Sequence, residues 1–337
     1  MITTRRTFLM AAASATAFGQ QPSLYEEEVK ATVPIRNRQW HVMEKFIHEL
    51  PEGPAPGGAT LQKKIGYPVA RIKGGEQRLE KIGTDSLGTY YRSYIQLGGS
   101  FDAYGLYIVP NGGPARKPLV ISQHGGGGTP ELALFNGGAN YHDMIRGSVR
   151  AGYITYAPLI VMYPYQDRDN GSEIQPEVRR DFDGLLRERG TSLFGVETSM
   201  ISESLSVLMK RPEIDPKRVA MVGLSYGGFF TLYQMALDKR IKCGVASCSF
   251  RDYDQAEWDR KPKNGQPYDM SPANLVKLIS PRRIQVQSGL SDKGLPIDSA
   301  RKAAAQVKGT KGLDYVEFPG VHEWNGELAW KFLATTL

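Results

Sequence analysis

The chain has 337 residues, 41% of them hydrophobic and 23% charged, which suits one large α/β domain or two small ones with a substantial core. The formal charge is +7, or +5 once Arg5 and Arg6 of a removable leader are set aside. The remaining basic residues are scattered, with pairs such as Lys63-Lys64 and Arg282-Arg283 and no longer block. A nucleic-acid surface needs a clustered basic stripe, so this scatter argues against that class.

The chain opens with TTRRTFLMAAASATAFG at 3–19. An arginine pair, a short small-residue apolar run and Ala15-Thr16-Ala17 make an n-region, an h-region and an A-x-A-like cleavage site of twin-arginine type. The apolar run is too short for a bilayer span, which takes about 20 residues. It predicts removal of residues 1–19, export in the folded state to a bacterial periplasm or beyond, and no membrane association afterwards. An uncleaved N-terminus is the alternative. Residues 20–66 read as a helical extension, with LYEEEVK and WHVMEKFIHEL apolar at helical spacing and PEGPAPGGAT at 51–60 as a connector.

From residue 67 onward the pattern predicts a single catalytic domain, 67–337. YYRSYIQLG and FDAYGLYIVP alternate and read as paired antiparallel strands. A strand–helix rhythm follows: PLVISQHG is a strand, YHDMIRGSVRAG amphipathic, YITYAPLI a strand, VETSMISESLSVLMKRP helical and RVAMVGL a strand. GGFFTLYQMALDKR is then helical, CGVASCSF and RRIQVQSG are strands, PIDSARKAAAQVKG is helical, LDYVEFPG is the last strand and WNGELAWKFLATTL the last helix. This alternation predicts an α/β fold, a mostly parallel central sheet with helices on both faces and an antiparallel N-terminal edge. The polar stretch 161–195 is long for a connection and predicts a lid or rim near the site.

The two cysteines, Cys243 and Cys248, fall in the strand CGVASCSF. Five residues along a strand set them roughly 17 Å apart on opposite faces, beyond the ~7 Å that a disulfide tolerates. They read as separate buried thiols. Neither has a histidine nearby in sequence, which argues against a cysteine nucleophile.

Four motifs carry chemistry. In RVAMVGLSYGG an apolar strand runs into Gly223 and a helical pattern starts just beyond Ser225. A strand–turn–helix with G-x-S-x-G at the turn is the context of a nucleophile elbow. The flanking glycines relieve crowding, and the helix N-terminus stabilises developing negative charge. HGGGG, His124–Gly128, follows the strand PLVISQ; the N–H of Gly125 or Gly126, with that of Tyr226, would form an oxyanion hole. His124 itself is expected to hold the loop's shape. Asp292 follows the strand RRIQVQSG and would orient a histidine, with Asp252 and Asp254 as rival acids. His322 follows LDYVEF and would relay the proton. His41 and His48 lie on the N-terminal helix and His142 on an amphipathic one, without nucleophile context. No metal-ligand spacing and no phosphate-binding fingerprint is present, so neither metal nor cofactor is expected.

Loop, Ser225, Asp292 and His322 come in this order, each at the end of a predicted strand. With HGGGG, GLSYGG, GLSD and GVHEW the sequence resembles the α/β-hydrolase superfamily over nearly all of 67–337. RPEIDPKRVAMVGLSYGGFFTLYQMALDKRIK is similar to the nucleophile region of its acetyl-xylan-esterase and dienelactone-hydrolase-like branch, although true dienelactone hydrolases carry a cysteine where this chain has Ser225. SYGG followed by an aromatic helix also resembles the prolyl-oligopeptidase catalytic domain. The resemblance implies an α/β-hydrolase fold and a serine esterase using a Ser225–His322–Asp292 triad on a small-molecule or carbohydrate ester. A small-peptide hydrolase and a non-catalytic binding protein on the same scaffold stand as alternatives, and the sequence leaves the oligomeric state open.

Overall fold

The computed structural model describes residues 42–98, 101–126, 128–135, 140–160, 167–168, 171–172, 176–253 and 270–337. The leader at 1–19, the predicted helix at 24–30, His41, Asp254 and most of 161–175 lie outside the described residues. The strands are β1 (Gln77–Thr84), β2 (Gly88–Gln96), β3 (Asp102–Pro110), β4 (Lys117–Gln123), β5 (Ile154–Pro158), a short ribbon of β6 (Asp167–Arg168) and β7 (Gly171–Ser172), β8 (Ile214–Leu224), β9 (Cys243–Ser247), β10 (Arg283–Gly289) and β11 (Leu313–Phe318). The helices are α1 (42–49), α2 (Leu61–Ile65), α3 (Pro130–Phe135), α4 (Met144–Arg150), α5 (Pro176–Arg187), α6 (Leu193–Leu208), α7 (Tyr226–Leu237), α8 (Pro272–Ile279), α9 (Ile297–Ala305) and α10 (Gly326–Ala334).

Nine strands pair in the order β1-β2-β3-β5-β4-β8-β9-β10-β11. From β5 to β11 every pairing is parallel. β1, β2 and β3 form an antiparallel edge, with β3 antiparallel to β5. The predicted edge of two strands thus has three. β1, QRLEKIGT, escapes a reading based on apolar runs because its outer position needs few apolar side chains; charged residues on such a strand blunt edge-to-edge pairing.

β4, β5 and β9 are buried at every position. Successive side chains nevertheless go to opposite faces. Leu119, Ile121, Val219 and Met221 join one core cluster, with Phe194, Phe230 and Tyr233 of α6 and α7. Val120, Ala220, Val222 and Val245 join another, with Met144, Ile145, Phe332 and Leu333 of α4 and α10. The continuous apolar strands of the sequence therefore serve two helical layers. Ser192 caps α6 by accepting from the Gly195 N–H at 3.0 Å, and Asn325 caps α10 by accepting from Leu328 at 3.0 Å.

The segment 42–65 packs onto this body. Met43, Phe46, Ile47, Leu50, Leu61 and Ile65 enter the first cluster, and Phe46 stacks on Phe101 with centroids 5.4 Å apart. Part of the stretch expected to form a rim at 161–195 is instead the helix α5, whose Phe182 and Leu186 are buried in that same cluster. Asp183 on α5 accepts from the first N–H of α6, at Leu193, at 2.9 Å. The predicted strand CGVASCSF also ends early: Cys248 lies past Ser247 with φ of 46°. Both cysteines are free and buried, Cys243 at the start of β9 and Cys248 beyond its end. Among the described residues no helix is long and apolar enough to cross a membrane.

The antiparallel edge is tied to α4 by a buried charge. Asp85, whose side chain is fully buried, accepts from Arg146 Nη2 at 2.8 Å, from the Tyr90 hydroxyl at 3.1 Å and from the N–H groups of Leu87 and Gly88. Burial alone would raise its carboxyl, but Arg146 and the two N–H donors outweigh it and hold the group below its ordinary value. A depressed carboxyl stabilises the fold above the ordinary carboxylate range, and that contribution is lost as pH falls through the folded value. Arg146→Ala leaves the buried carboxylate with neutral donors in place of its paired charge and should cost about 3–5 kcal/mol at neutral pH. The loss should shrink in acid, where Asp85 takes up a proton. Urea unfolding of both proteins across pH checks this.

Candidate active site

Ser225 sits where β8 hands over to α7, with φ of 59° and ψ of −119°. A non-glycine residue at positive φ costs on the order of 1–3 kcal/mol and persists only where its surroundings dictate it. Here the N–H of Ser225 donates to the Ser247 carbonyl at 2.8 Å, and its own carbonyl accepts from Phe229 at 3.1 Å. A Cβ at Gly223 would collide with the Gly227 carbonyl, and one at Gly227 with that of Gln123. Glycine at both places lets β4, β8 and the start of α7 close on one point. Tyr226 supplies the first N–H of α7, a donor that has no acceptor within its own helix.

Asp292 and His322 lie just past β10 and β11, the two strands that follow β9 in the sheet order. His322 Nδ1 donates to Asp292 Oδ2 at 2.7 Å. The Asp292 side chain is 1% exposed and that of His322 32%. The other carboxylate oxygen, Oδ1, accepts from Gly294 at 2.8 Å and Leu295 at 2.9 Å. The carboxylate is thereby fixed, and it sets the imidazole's tautomer and plane. Ser247, which anchors the Ser225 N–H, also donates its hydroxyl to the Glu323 carbonyl at 3.2 Å, so elbow and histidine loop share one neighbour. Neither the Ser225 hydroxyl nor His322 Nε2 makes a hydrogen bond among the described residues. Of the four large apolar side chains exposed among the described residues, Leu290 and Val321 flank Asp292 and His322.

The glycine-rich loop closes the other side. His124, 1% exposed, accepts from the Ile160 N–H on Nε2 at 3.1 Å. Its proton therefore sits on Nδ1, which donates to the Gly125 carbonyl at 2.8 Å. A Cβ at Gly125 would lie 2.9 Å from the Leu224 carbonyl and 3.2 Å from Ser225 Cβ, so the loop lies directly against the elbow. The N–H of Gly125 donates to the Tyr141 hydroxyl at 2.9 Å. Of the two glycines expected to face an oxyanion, this leaves Gly126, which is exposed. Burial pushes Tyr141 up to about 12, with the Gly125 N–H pulling the other way, so the ring stays neutral.

Tyr141 belongs to a tripeptide that also holds the histidine loop. Asn140 donates from Nδ2 to the His322 carbonyl at 3.0 Å and accepts from the Trp324 N–H at 2.9 Å. His142, at φ of 48°, lies with Nε2 2.7 Å from Glu323 Oε2. Asn140, Tyr141 and His142 thus clasp the glycine loop and the histidine loop together.

Comparison with known proteins bears on this arrangement. The model of the prolyl oligopeptidase family matches residues 200–321. The Bacillus subtilis (strain 168) protein YtaP is 25% identical over 63% of this chain and 73% of its own. YuxL, an uncharacterized peptidase of the same organism, is 24% identical over 61% of this chain but only 31% of its own. Among solved structures, a glucuronoyl esterase from Solibacter usitatus superposes with a TM-score of 0.58 at 16% identity, over 88% of this chain and 91% of that one. Acetyl xylan esterase 1 from Thermoanaerobacterium sp. JW/SL YS485 does so with a TM-score of 0.58 at 19% identity, over 86% and 98%. The chain has the α/β-hydrolase fold.

On this α/β-hydrolase scaffold Asp292, and not Asp252, meets His322. Asp252 instead accepts from Gln306 Nε2 at 2.7 Å and donates its N–H to the Ser299 carbonyl, which ties it to α9. Asp254 lies outside the described residues. His48 is exposed on α1. Sequence reading gave no site role to Asn140, Tyr141, Glu323 or Cys248. No spacing marks them, because each matters through a contact across the sheet edge. Burial, with Asp292 adding to it, pushes the Cys248 thiol up to about 11, so it is a neutral group beside the pair. Tyr141→Phe leaves the Gly125 N–H buried without its acceptor and should cost about 1–3 kcal/mol. Thermal or urea unfolding against the parent measures it.

Proposed function

We propose that the protein is a serine carboxylic-ester hydrolase working through an acyl-enzyme. The observation that carries this reading is the 2.7 Å bond from His322 Nδ1 to Asp292, set at the sheet edge where Ser225 occupies a strained elbow. Ser225 Oγ attacks the ester carbonyl carbon while His322 Nε2 takes its proton. The N–H groups of Tyr226 and Gly126 receive the oxyanion, whose charge develops at the positive end of α7. As the tetrahedral centre collapses, His322 returns the proton to the leaving alcohol. Water then repeats the sequence on the acyl group. Asp292 remains ionised throughout and stabilises the imidazolium.

Esters of carbohydrates are the favoured substrate class. The glucuronoyl and acetyl xylan esterases that share the fold support this, and so does the leader at 1–19, which fits delivery to a periplasm or beyond. The match to the prolyl oligopeptidase family supports a small-peptide hydrolase as the second reading. Parallel assays on acetylated sugars, short aryl esters and aminoacyl anilides separate the two, with turnover of esters expected and turnover of anilides alone deciding for the second.

Ser225→Ala should abolish ester turnover and labelling by a fluorophosphonate while leaving the unfolding midpoint close to the parent's; undiminished turnover refutes the assignment. Asp292→Asn should lower kcat by about 10⁴, with Asp252→Asn near wild type. Steady-state kinetics on an aryl ester reads both.

A further inference from the structure

Three consecutive parallel strands, β9, β10 and β11, each release one ligand-bearing side chain just past their carboxyl ends: Cys248, Asp292 and His322. One donor atom from each, the thiol sulfur, a carboxylate oxygen and an imidazole nitrogen, lie within 4.8 Å of one another. No spacing motif in the sequence announces this set; the adjacency of the strands creates it. We propose that Cys248, Asp292 and His322 form an inhibitory binding site for a borderline-soft divalent cation of the zinc class.

Zinc bonds to sulfur at about 2.3 Å and to nitrogen or oxygen at about 2.0–2.2 Å, which sets neighbouring donors of a tetrahedral shell roughly 3.3–3.6 Å apart. The three donor atoms lie within 4.8 Å of one another and Nδ1 and Oδ2 at 2.7 Å, so binding draws the thiol in and parts the imidazole from the carboxylate by side-chain rotation. The chemistry also fits: a thiolate, an imidazole and a carboxylate select zinc or cadmium over magnesium or calcium, which take all-oxygen shells. The surroundings are partly built. Asp292 Oδ1 is already held by two backbone N–H groups, which leaves Oδ2 as the ligand. His322 is a third exposed and gives the ion both its approach and a fourth position for water. Among the described residues the Cys248 thiol meets the carbonyls of Glu323 at 3.5 Å and Val321 at 3.8 Å and accepts from the Ser247 hydroxyl at 3.9 Å, weak contacts that are inexpensive to give up.

Binding rearranges protons in a defined way. The Cys248 thiol proton leaves to solvent. The His322 proton moves from Nδ1, which becomes the ligand, to Nε2. The divalent charge is then balanced by one thiolate and one carboxylate. An imidazole protonated at Nε2 and bound through Nδ1 has no lone pair for the Ser225 hydroxyl, and Asp292 no longer orients it. The ion and catalysis exclude each other. This inhibitory consequence rests on the function proposed above, whereas the site itself does not.

The test uses the full chain with zinc, cadmium and magnesium chlorides. Zinc should lower aryl-ester turnover at least tenfold and EDTA should restore it, with magnesium inert. Cys248→Ala and the near-isosteric Cys248→Ser should retain turnover without metal and need about 100-fold more zinc for the same inhibition, the upper end of what losing even a group that only supports a ligand costs. Cadmium should raise an ultraviolet thiolate-to-metal charge-transfer band in the parent and in Ser225→Ala, and not in either Cys248 variant. Zinc inhibition unchanged in both Cys248 variants overturns the proposal, as does a cadmium band that is absent from the parent or survives in them. Because the band is read in Ser225→Ala as well, a protein that hydrolyses no ester refutes the functional reading and leaves the metal site separately decided.

Discussion

The arrangement depends on one strained residue being held from both sides. Ser225 keeps a positive φ because its N–H is bonded to β9 and its carbonyl to the first turn of α7. Neither bond can relax without moving a buried element. The stored strain is small beside the burial of β8 and α7, whose apolar side chains fill both core clusters; each fully buried Leu, Val or Phe contributes about 1.5–3 kcal/mol. The core therefore fixes where the hydroxyl stands.

From that point the sheet's handedness and parallel pairing do the rest. In open α/β sheets the crevice at the carboxyl ends of the strands, where the strand order reverses, is the natural place for a ligand. Here β5 and β8 lie on either side of β4, and the two motifs flanking that reversal are the glycine-rich loop after β4 and the elbow after β8. Asp292 and His322 reach the same edge because β10 runs parallel to β9 and β11 parallel to β10. A base and its carboxylate are thereby brought to 2.7 Å across a sequence gap of 30 residues.

Much of this was legible in the sequence because it is written in local pattern. Apolar runs of strand length alternating with amphipathic helices show the parallel sheet, and glycines around Ser225 show where backbones approach. The His124 loop, Asp292 and His322 were readable because each follows a strand directly. What stayed hidden is what only the third dimension defines. β1 shows no apolar run because an outer strand has little to bury; Leu79 and Ile82 are its two large apolar side chains. Cys248 looked like one more strand residue, since nothing in CGVASCSF signals the left-handed turn that ends the strand at Ser247. Tyr141 lies in a polar stretch with no motif, and its role arises from a contact with Gly125 sixteen positions away.

The tripeptide at 140–142 has a consequence for how such a site can change over time. Asn140 and His142 hold the loop that carries His322, and Tyr141 holds the loop that faces Ser225. The two loops are therefore not separable modules. Substitutions in one are felt through a shared tether by the other, and effects of neighbouring residues in one network do not add. Lineages altering substrate preference in either loop would find their path constrained by epistasis at these three positions, far more than the polar, motif-free sequence around them suggests.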